Sequence, residues 1–267
     1  MKRIQSKDNP RYKDLVRLAS SVRECRLAGL TLLEGEHLIE AFKDSGGRAA
    51  MLIAPDTAAK RQSIQELLES TSADERLVLS DRLAAGISRL VSSSEIMAVV
   101  PIVAPSAWPT DPGTCLLLEG IQDPGNLGSI MRTAVAAGIG SIALSPGSAF
   151  AWAPKVMRAG MGAHFRLAIH EGVELQQIAA DYAGKVIATS PHARDSLFES
   201  DLTGPTAWIF GNEGVGLSAA MAKSARIQVG IPMPGPVESL NLAATVAVCL
   251  FEQLRQRSVV SGRRTRV

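Results

Sequence analysis

The chain has 267 residues, of which 46% are hydrophobic and 20% charged, so it can form two globular domains or one large one with a sizeable core. No apolar run reaches the ~18 residues that a membrane span needs, and the polar N-terminus lacks the apolar stretch of a secretory signal, so we expect a cytoplasmic protein without a membrane segment. The net charge is only +2, but residues 1–31 and 254–267 each carry a net +5. Basic ends on an acidic middle favour contact with a polyanion, and the alternative is two solvated termini without a partner.

The cysteines and histidines show no spacing typical of metal ligands. Cys25, Cys115 and Cys249 lie far apart, and the four histidines form no cluster along the chain. Buried free thiols are the simplest interpretation, and we expect no metal.

The first hundred residues alternate between helical and strand patterns. Residues 11–28 predict one amphipathic basic helix, with Leu15, Leu18, Val22 and Cys25 on its apolar stripe. The segments that follow predict strands at 30–33, 51–54, 77–79 and 97–103 and helices at 36–43, 64–68 and 81–90. Such alternation indicates a small α/β domain over residues 1–100.

Residues 101–113 contain four prolines and no helical or strand periodicity, which is typical of an extended linker. After the linker, continuous apolar runs predict strands buried on both faces, and hence a parallel sheet, at 115–118, 142–144, 165–169, 186–188, 207–210 and 227–231. Ligands bind at the carboxyl ends of such strands.

Three loops at these ends are rich in glycine, asparagine or proline. In the first, Asn126 is a plausible N-cap and Gly138 a plausible stop for a helix on which Arg132 points away from the apolar stripe. The second reads GNEGVG over residues 211–216, and the third precedes an apolar helix that opens at Ser239. Taken singly, the second and third loops are each equally well explained as plain turns. For Arg132, periodicity alone favours a solvent-facing helical residue.

Together, residues 119–134, 210–217 and 231–242 resemble the three signatures of the SpoU (TrmH) type of RNA ribose methyltransferases in the SPOUT superfamily. The resemblance implies a methyltransferase domain over residues 114–254 with a C-terminal deep trefoil knot, followed by a basic tail at 255–267. It also implies a homodimer packed partly through the helix after Asn241.

The same resemblance implies a set of site residues. The catalytic positions that match are Asn126, Arg132, Glu213, Ser239 and Asn241. The positions whose backbone would grip S-adenosylmethionine are Gly211, Ile231 and Leu240, and Arg158 matches a basic position near the RNA. Because a guanidinium stays protonated, we expect Arg132 to clamp a phosphate and stabilise the developing alkoxide rather than act as a base. The alternatives are that Ser239 is only a helix N-cap and that Asn241 is only the second residue of that helix's first turn.

At the N-terminus, residues 6–10 and 33–35 resemble the RNA-substrate domain fused to many members of this family, which is similar to ribosomal-protein folds that hold kinked RNA. We therefore expect RNA contacts from this domain, Arg11 and Lys13 among them.

The function implied is transfer of a methyl group from S-adenosylmethionine to a ribose 2′-hydroxyl of structured RNA, ribosomal rather than transfer RNA. One alternative is a non-catalytic RNA-binding protein with the same fold. Another is a nucleotide-binding oxidoreductase, which the lack of a Gly-x-Gly-x-x-Gly turn after a first strand disfavours.

Overall fold

The computed structural model describes residues 1–88, 95–103, 105, 107–237 and 239–261. Contacts divide the chain into two compact units, one made of residues 1–103 with 152–165 and the other of residues 104–151 with 166–267. No helix in the described ranges is both long and apolar enough to cross a membrane.

The first unit is built on a five-stranded mixed sheet in the order β1-β4-β3-β5-β2. Strands β1, β3 and β4 run parallel, and β5 pairs antiparallel with β2 and β3. The strands are β1 Lys2–Ile4, β2 Leu30–Glu34, β3 Ala49–Pro55, β4 Ala73–Leu79 and β5 Met97–Pro101, and the helices are α1 Pro10–Ser20, α2 Val22–Ala28, α3 Glu36–Asp44, α4 Gln62–Ser70 and α5 Asp81–Ala85.

The predicted single helix over residues 11–28 is wrong, because the chain breaks at Ser21. Ser21 has extended backbone angles, and its side chain accepts a hydrogen bond from the Glu24 N–H at 3.3 Å, which caps a second helix. The break turns Val22 outward, where it is 41% exposed, while the other stripe residues are buried. The sequence also missed β1, and α5 ends at Ala85; residues 89 and 90 of the predicted helix lie outside the described residues.

The second unit is built on a seven-stranded sheet in the order β10-β12-β9-β11-β6-β7-β8. Every recorded pairing in it is parallel, which confirms the predicted sheet. The elements from residue 115 on are β6 Cys115–Leu118, α6 Pro124–Ala136, β7 Ser141–Leu144, α7 Pro154–Gly160, β8 Ala168–Glu171, α8 Leu175–Asp181, β9 Lys185–Thr189, β10 Asp195–Ser196, β11 Thr206–Phe210, α9 Ala219–Ser224, β12 Ile227–Gly230 and α10 Leu242–Ser261.

The central strands are apolar throughout because both of their faces are covered. All five residues of β11 and all four of β6 are buried. Cys115 and Cys249 are fully buried core side chains, and burial raises the pKa of both thiols to about 12. The strand predicted at 165–169 starts later, since Ala163–Arg166 forms a 3-10 turn before β8.

Helix α7 groups with the first unit, although the sequence placed it in the C-terminal domain. The Thr31 hydroxyl donates to the Trp152 carbonyl at 2.6 Å, and the rings of Phe42 and Phe165 meet edge to face at 5.3 Å. In the same segment, a guanidinium nitrogen of Arg158 lies 3.0 Å from the carboxylate of Glu34, whose side chain is only 2% exposed.

Further predictions concern the two ends of the second unit, namely the linker before it and the knot and basic tail at its C-terminus. In the linker, Trp108 packs on the hydrophobic core and its ring lies 5.0 Å from that of His170; residues 104 and 106 lie outside the described residues. At the other end, α10 buries Val246, Cys249 and Leu250 while Phe251 is 48% exposed. The trefoil knot stays a prediction, and residues 262–267 of the basic tail lie outside the described residues.

Candidate active site

The three signature segments converge at the carboxyl ends of β6, β11 and β12, where hydrogen bonds join one polar residue from each. The Asn241 side-chain amide donates to Asn126 Oδ1 at 2.9 Å, and Asn126 Nδ2 donates to Glu213 Oε1 at 3.1 Å. Glu213 Oε2 also accepts from the backbone N–H of Gln122 at 3.4 Å. Hydrogen bonds thus join side chains that lie 87 and 115 positions apart in the sequence.

Helix caps at the site differ from the sequence expectations. Asp123, not Asn126, caps α6, because its Oδ1 accepts from the Asn126 N–H at 2.7 Å and Pro124 occupies the first turn. Likewise α10 begins at Leu242 rather than Ser239, and Asn241 Oδ1 caps it by accepting from the N–H groups of Ala243 and Ala244. Asn126 therefore keeps its side chain free for the network described above. The predicted stop at Gly138 is confirmed, since this residue has φ 77° after the end of α6.

Arg132 is exposed on α6, as the apolar periodicity predicted. Its side chain makes no hydrogen bond or ion pair with another residue in the described ranges, whereas its helix buries Leu127, Ile130 and Ala134. A guanidinium without an internal partner keeps its five donors available for an external anion.

The residues expected to hold the cofactor lie in the loops after β11 and β12. Ile231 is half-buried and Leu240 is 38% exposed. The backbone groups of Gly211, Ile231 and Leu240 make no hydrogen bond to other described residues. Backbone groups without an internal partner are available to a ligand, so this set is compatible with backbone contacts to the adenosyl group of S-adenosylmethionine.

The loop itself requires a glycine at position 211. A Cβ placed there would lie 2.5 Å from the Gly216 carbonyl carbon and 2.6 Å from the Leu217 nitrogen. The close approach is thus made by the loop's own backbone, and a side chain at this position would force the loop open.

Within the described ranges, the remaining candidate residues are not part of this hydrogen-bonded network. Ser239 is exposed and does not cap α10, and Glu238 of the third signature lies outside the described residues. In the first unit, Arg11 pairs with Glu75, Lys13 lies 3.6 Å from Asp8, and Arg158 is held by Glu34.

Sequence reasoning missed the residues that hold the loops to one another. The Glu119 carboxylate accepts from the Ser218 N–H at 2.8 Å and from its hydroxyl at 2.7 Å. Asn212 bonds to Gly120 across the strands. Both residues belong to quoted motifs, but their pairing depends on strand order, which the sequence does not contain. No group of three or more His, Cys, Asp or Glu residues suited to a metal ion occurs in the described part of the chain.

Known proteins are similar to this chain in sequence and in fold. Residues 113–251 match the model of the SpoU rRNA Methylase family. An uncharacterized tRNA/rRNA methyltransferase of Synechocystis is 34% identical, over 97% of this chain and 95% of that protein. The 23S rRNA (guanosine(2553)-2′-O)-methyltransferase RlmP of Bacillus subtilis is 28% identical over 94% of this chain and 98% of its own length.

A solved structure agrees with the sequence comparison. The SpoU methyltransferase AviRb of Streptomyces viridochromogenes, crystallised with its cofactor AdoMet, is 27% identical, and it superposes with a TM-score of 0.84 over 96% of this chain and all of AviRb. The chain therefore belongs to the SpoU rRNA methylase family, and it is an S-adenosylmethionine-dependent RNA methyltransferase.

Proposed function

We propose that the chain methylates a ribose 2′-hydroxyl in structured ribosomal RNA, and that Asn126, Arg132, Glu213, Ser239 and Asn241 form its catalytic group. The hydrogen-bonded chain from Asn241 through Asn126 to Glu213 is the observation that carries this proposal, because it joins residues of all three signatures at one edge of the sheet. A non-catalytic RNA-binding protein has no need of this polar network.

The bound cofactor supplies an electrophilic methyl group, and the chain's own residues supply alignment and charge. Holding the ribose oxygen in line contributes up to ~7–11 kcal/mol in well-oriented systems. Arg132 binds the phosphate beside the target ribose and stabilises negative charge developing on the 2′-oxygen. The Glu213 carboxylate, fixed by Asn126 and Gln122, keeps acceptor capacity for a ribose hydroxyl, and the Ser239 hydroxyl contributes a further hydrogen bond.

The first unit serves as the RNA-substrate domain, and the chain acts as a homodimer. Support for the RNA role comes from the basic residues 1–31 and from the names of relatives such as RlmP. Support for the dimer comes from α10, on which the large apolar side chain of Phe251 is 48% exposed. The 2′-hydroxyl chemistry and the ribosomal substrate likewise follow the relatives' names.

The test is methyl transfer by the purified chain from radiolabelled S-adenosylmethionine to ribosomal and transfer RNA. We expect label in ribosomal RNA, at one nucleotide whose 3′ phosphodiester resists alkali, because a 2′-O-methyl group blocks attack by the ribose oxygen. Label on a base, or RNA binding without any label, would contradict the proposal. The second outcome would favour the non-catalytic RNA-binding protein.

A further inference from the structure

The loop at residues 211–216 carries Glu213, and the side chain of Asn212 shapes this loop. Asn212 Oδ1 accepts hydrogen bonds from the backbone N–H groups of Gly214 at 2.8 Å and Val215 at 3.1 Å. The backbone groups of Asn212 and Gly216 also bond to each other, at 3.1 and 2.9 Å. Glu213 thus lies in a tight turn whose interior is filled by the preceding side chain.

Asn212 also ties this turn to the neighbouring strand. Its Nδ2 donates to the carbonyl of Gly120, just after β6, at 2.7 Å. The Gly120 N–H in turn donates to the Ser145 hydroxyl, just after β7, at 2.9 Å. Hydrogen bonds therefore run across the carboxyl ends of three adjacent parallel strands, β11, β6 and β7.

We infer that Asn212 is a positioning residue for Glu213 in methyl transfer, an inference that rests on the proposed function. Both lone pairs of its oxygen are taken by Gly214 and Val215, so no acceptor is left for a substrate. The two donors on one side and the Gly120 carbonyl on the other fix the amide's orientation. Asn212 acts through the place it gives Glu213, 3.1 Å from Asn126.

A double-mutant cycle in the single-turnover methylation rate tests this role. Losing the Asn212 side chain leaves two loop N–H groups without a protein partner, so we expect Asn212→Ala to slow transfer about tenfold or more. Glu213→Gln should slow it as much or more. The double variant should be within about twofold of Glu213→Gln alone, because Asn212 then has nothing left to position.

The conservative variant Asn212→Asp keeps an oxygen that can accept from both the Gly214 and Val215 N–H groups but loses the donor to Gly120, so its rate should lie between those of wild type and Asn212→Ala. Losses that multiply in the double variant would show that Asn212 acts independently of Glu213 and would overturn the inference. So would a normal rate in Asn212→Ala, or a normal rate in Glu213→Gln.

Amide hydrogen exchange in the free protein gives a second readout that needs no RNA. Exchange at Gly214 and Val215 should speed up by about tenfold in Asn212→Ala and stay unchanged in Glu213→Gln, since only the first removes their acceptor. Unchanged exchange in Asn212→Ala would overturn the inference. A wild-type chain that methylates no RNA would instead refute the proposed function, and the exchange result would still decide whether Asn212 holds the loop.

Discussion

The basic side chains of the first unit and Arg132 of the second differ in what they are bound to. In the described part of the chain, carboxylates pair with basic side chains throughout residues 1–31, namely with Lys2, Arg3, Arg11, Lys13 and Arg17. Arg158 of the same unit pairs with the buried Glu34. Arg132, by contrast, makes no ion pair within the described ranges.

The difference shows that the local net charge is a poor guide to which cations are available. The net charge of +5 takes into account only the three acidic residues that lie within residues 1–31. Glu75 and Asp56, which come later in the chain, also pair with basic side chains of this segment. A guanidinium that makes no ion pair in the described ranges, on the helix that also carries Asn126, is a better candidate for an anion site than several that are paired.

Removing Arg158 should have the largest effect on stability. Arg158→Ala leaves the Glu34 carboxylate buried without this partner, and breaking a buried pair costs about 3 kcal/mol or more. Thermal and urea unfolding should both show the loss. The double variant Glu34→Leu with Arg158→Met should recover much of it. Arg23 is exposed and makes no ion pair in the part of the chain that the structure describes, so Arg23→Ala should change stability by less than about 0.5 kcal/mol. Wild-type stability in Arg158→Ala would mean that the pair is not maintained in solution.

Arg132→Ala should have the opposite signature. Because the side chain is exposed and unpaired, the free energy of unfolding should change by less than about 0.5 kcal/mol. Loss of a donor to a developing oxyanion should slow single-turnover methylation about 100-fold or more, with S-adenosylmethionine affinity intact. Arg132→Lys should recover little, since an ammonium cannot form the bidentate fork. An alanine variant with the wild-type rate would remove Arg132 from the site.

Gly211→Val extends the comparison to the loop at residues 211–216. Its Cβ would meet the Gly216 backbone at 2.5 Å, so the loop must open, and S-adenosylmethionine affinity measured by calorimetry should fall about tenfold or more. The matched control is Gly214→Ala in the same loop, whose nearest contact is Asn212 Oδ1 at 3.4 Å. Equal affinities in the two variants would contradict a role for Gly211 in shaping the cofactor site.

Local patterns predicted the buried strands and their parallel pairing, because a strand covered on both faces must be apolar throughout. The sequence was less informative about how elements end. Asp123 and Asn126 are both good N-cap residues three positions apart, as are Ser239 and Asn241 two apart, and only the backbone turn decides between them.

The site itself was predicted as a set of residues but not as a network. The resemblance to the family's signatures points to Asn126, Glu213 and Asn241, but their hydrogen bonds depend on β11 lying beside β6 and on α10 starting at Leu242. The ion pair of Glu34 with Arg158, 124 positions apart, follows from the packing of 152–165 in the first unit. No local pattern reports such contacts.

The smallest effect, and the most direct test of available charge, is the salt dependence of RNA binding. We expect Lys7 and Arg23, which are exposed and make no ion pair with any described residue, to contribute more than Arg11, whose charge is offset by Glu75. Each lost single-strand phosphate contact lowers the slope of log affinity against log salt by ~0.7.

Point variants are needed, because deleting residues 1–100 would also remove Thr31 and Glu34, the partners of 152–165. Lys7→Ala and Arg23→Ala should therefore flatten the slope and Arg11→Ala should change it less, with cofactor affinity constant in all three. A slope that falls by the amount of one full contact in Arg11→Ala and stays unchanged in the other two variants would contradict this expectation. It would mean that RNA opens the ion pairs and that pairing in the free protein does not identify the RNA contacts.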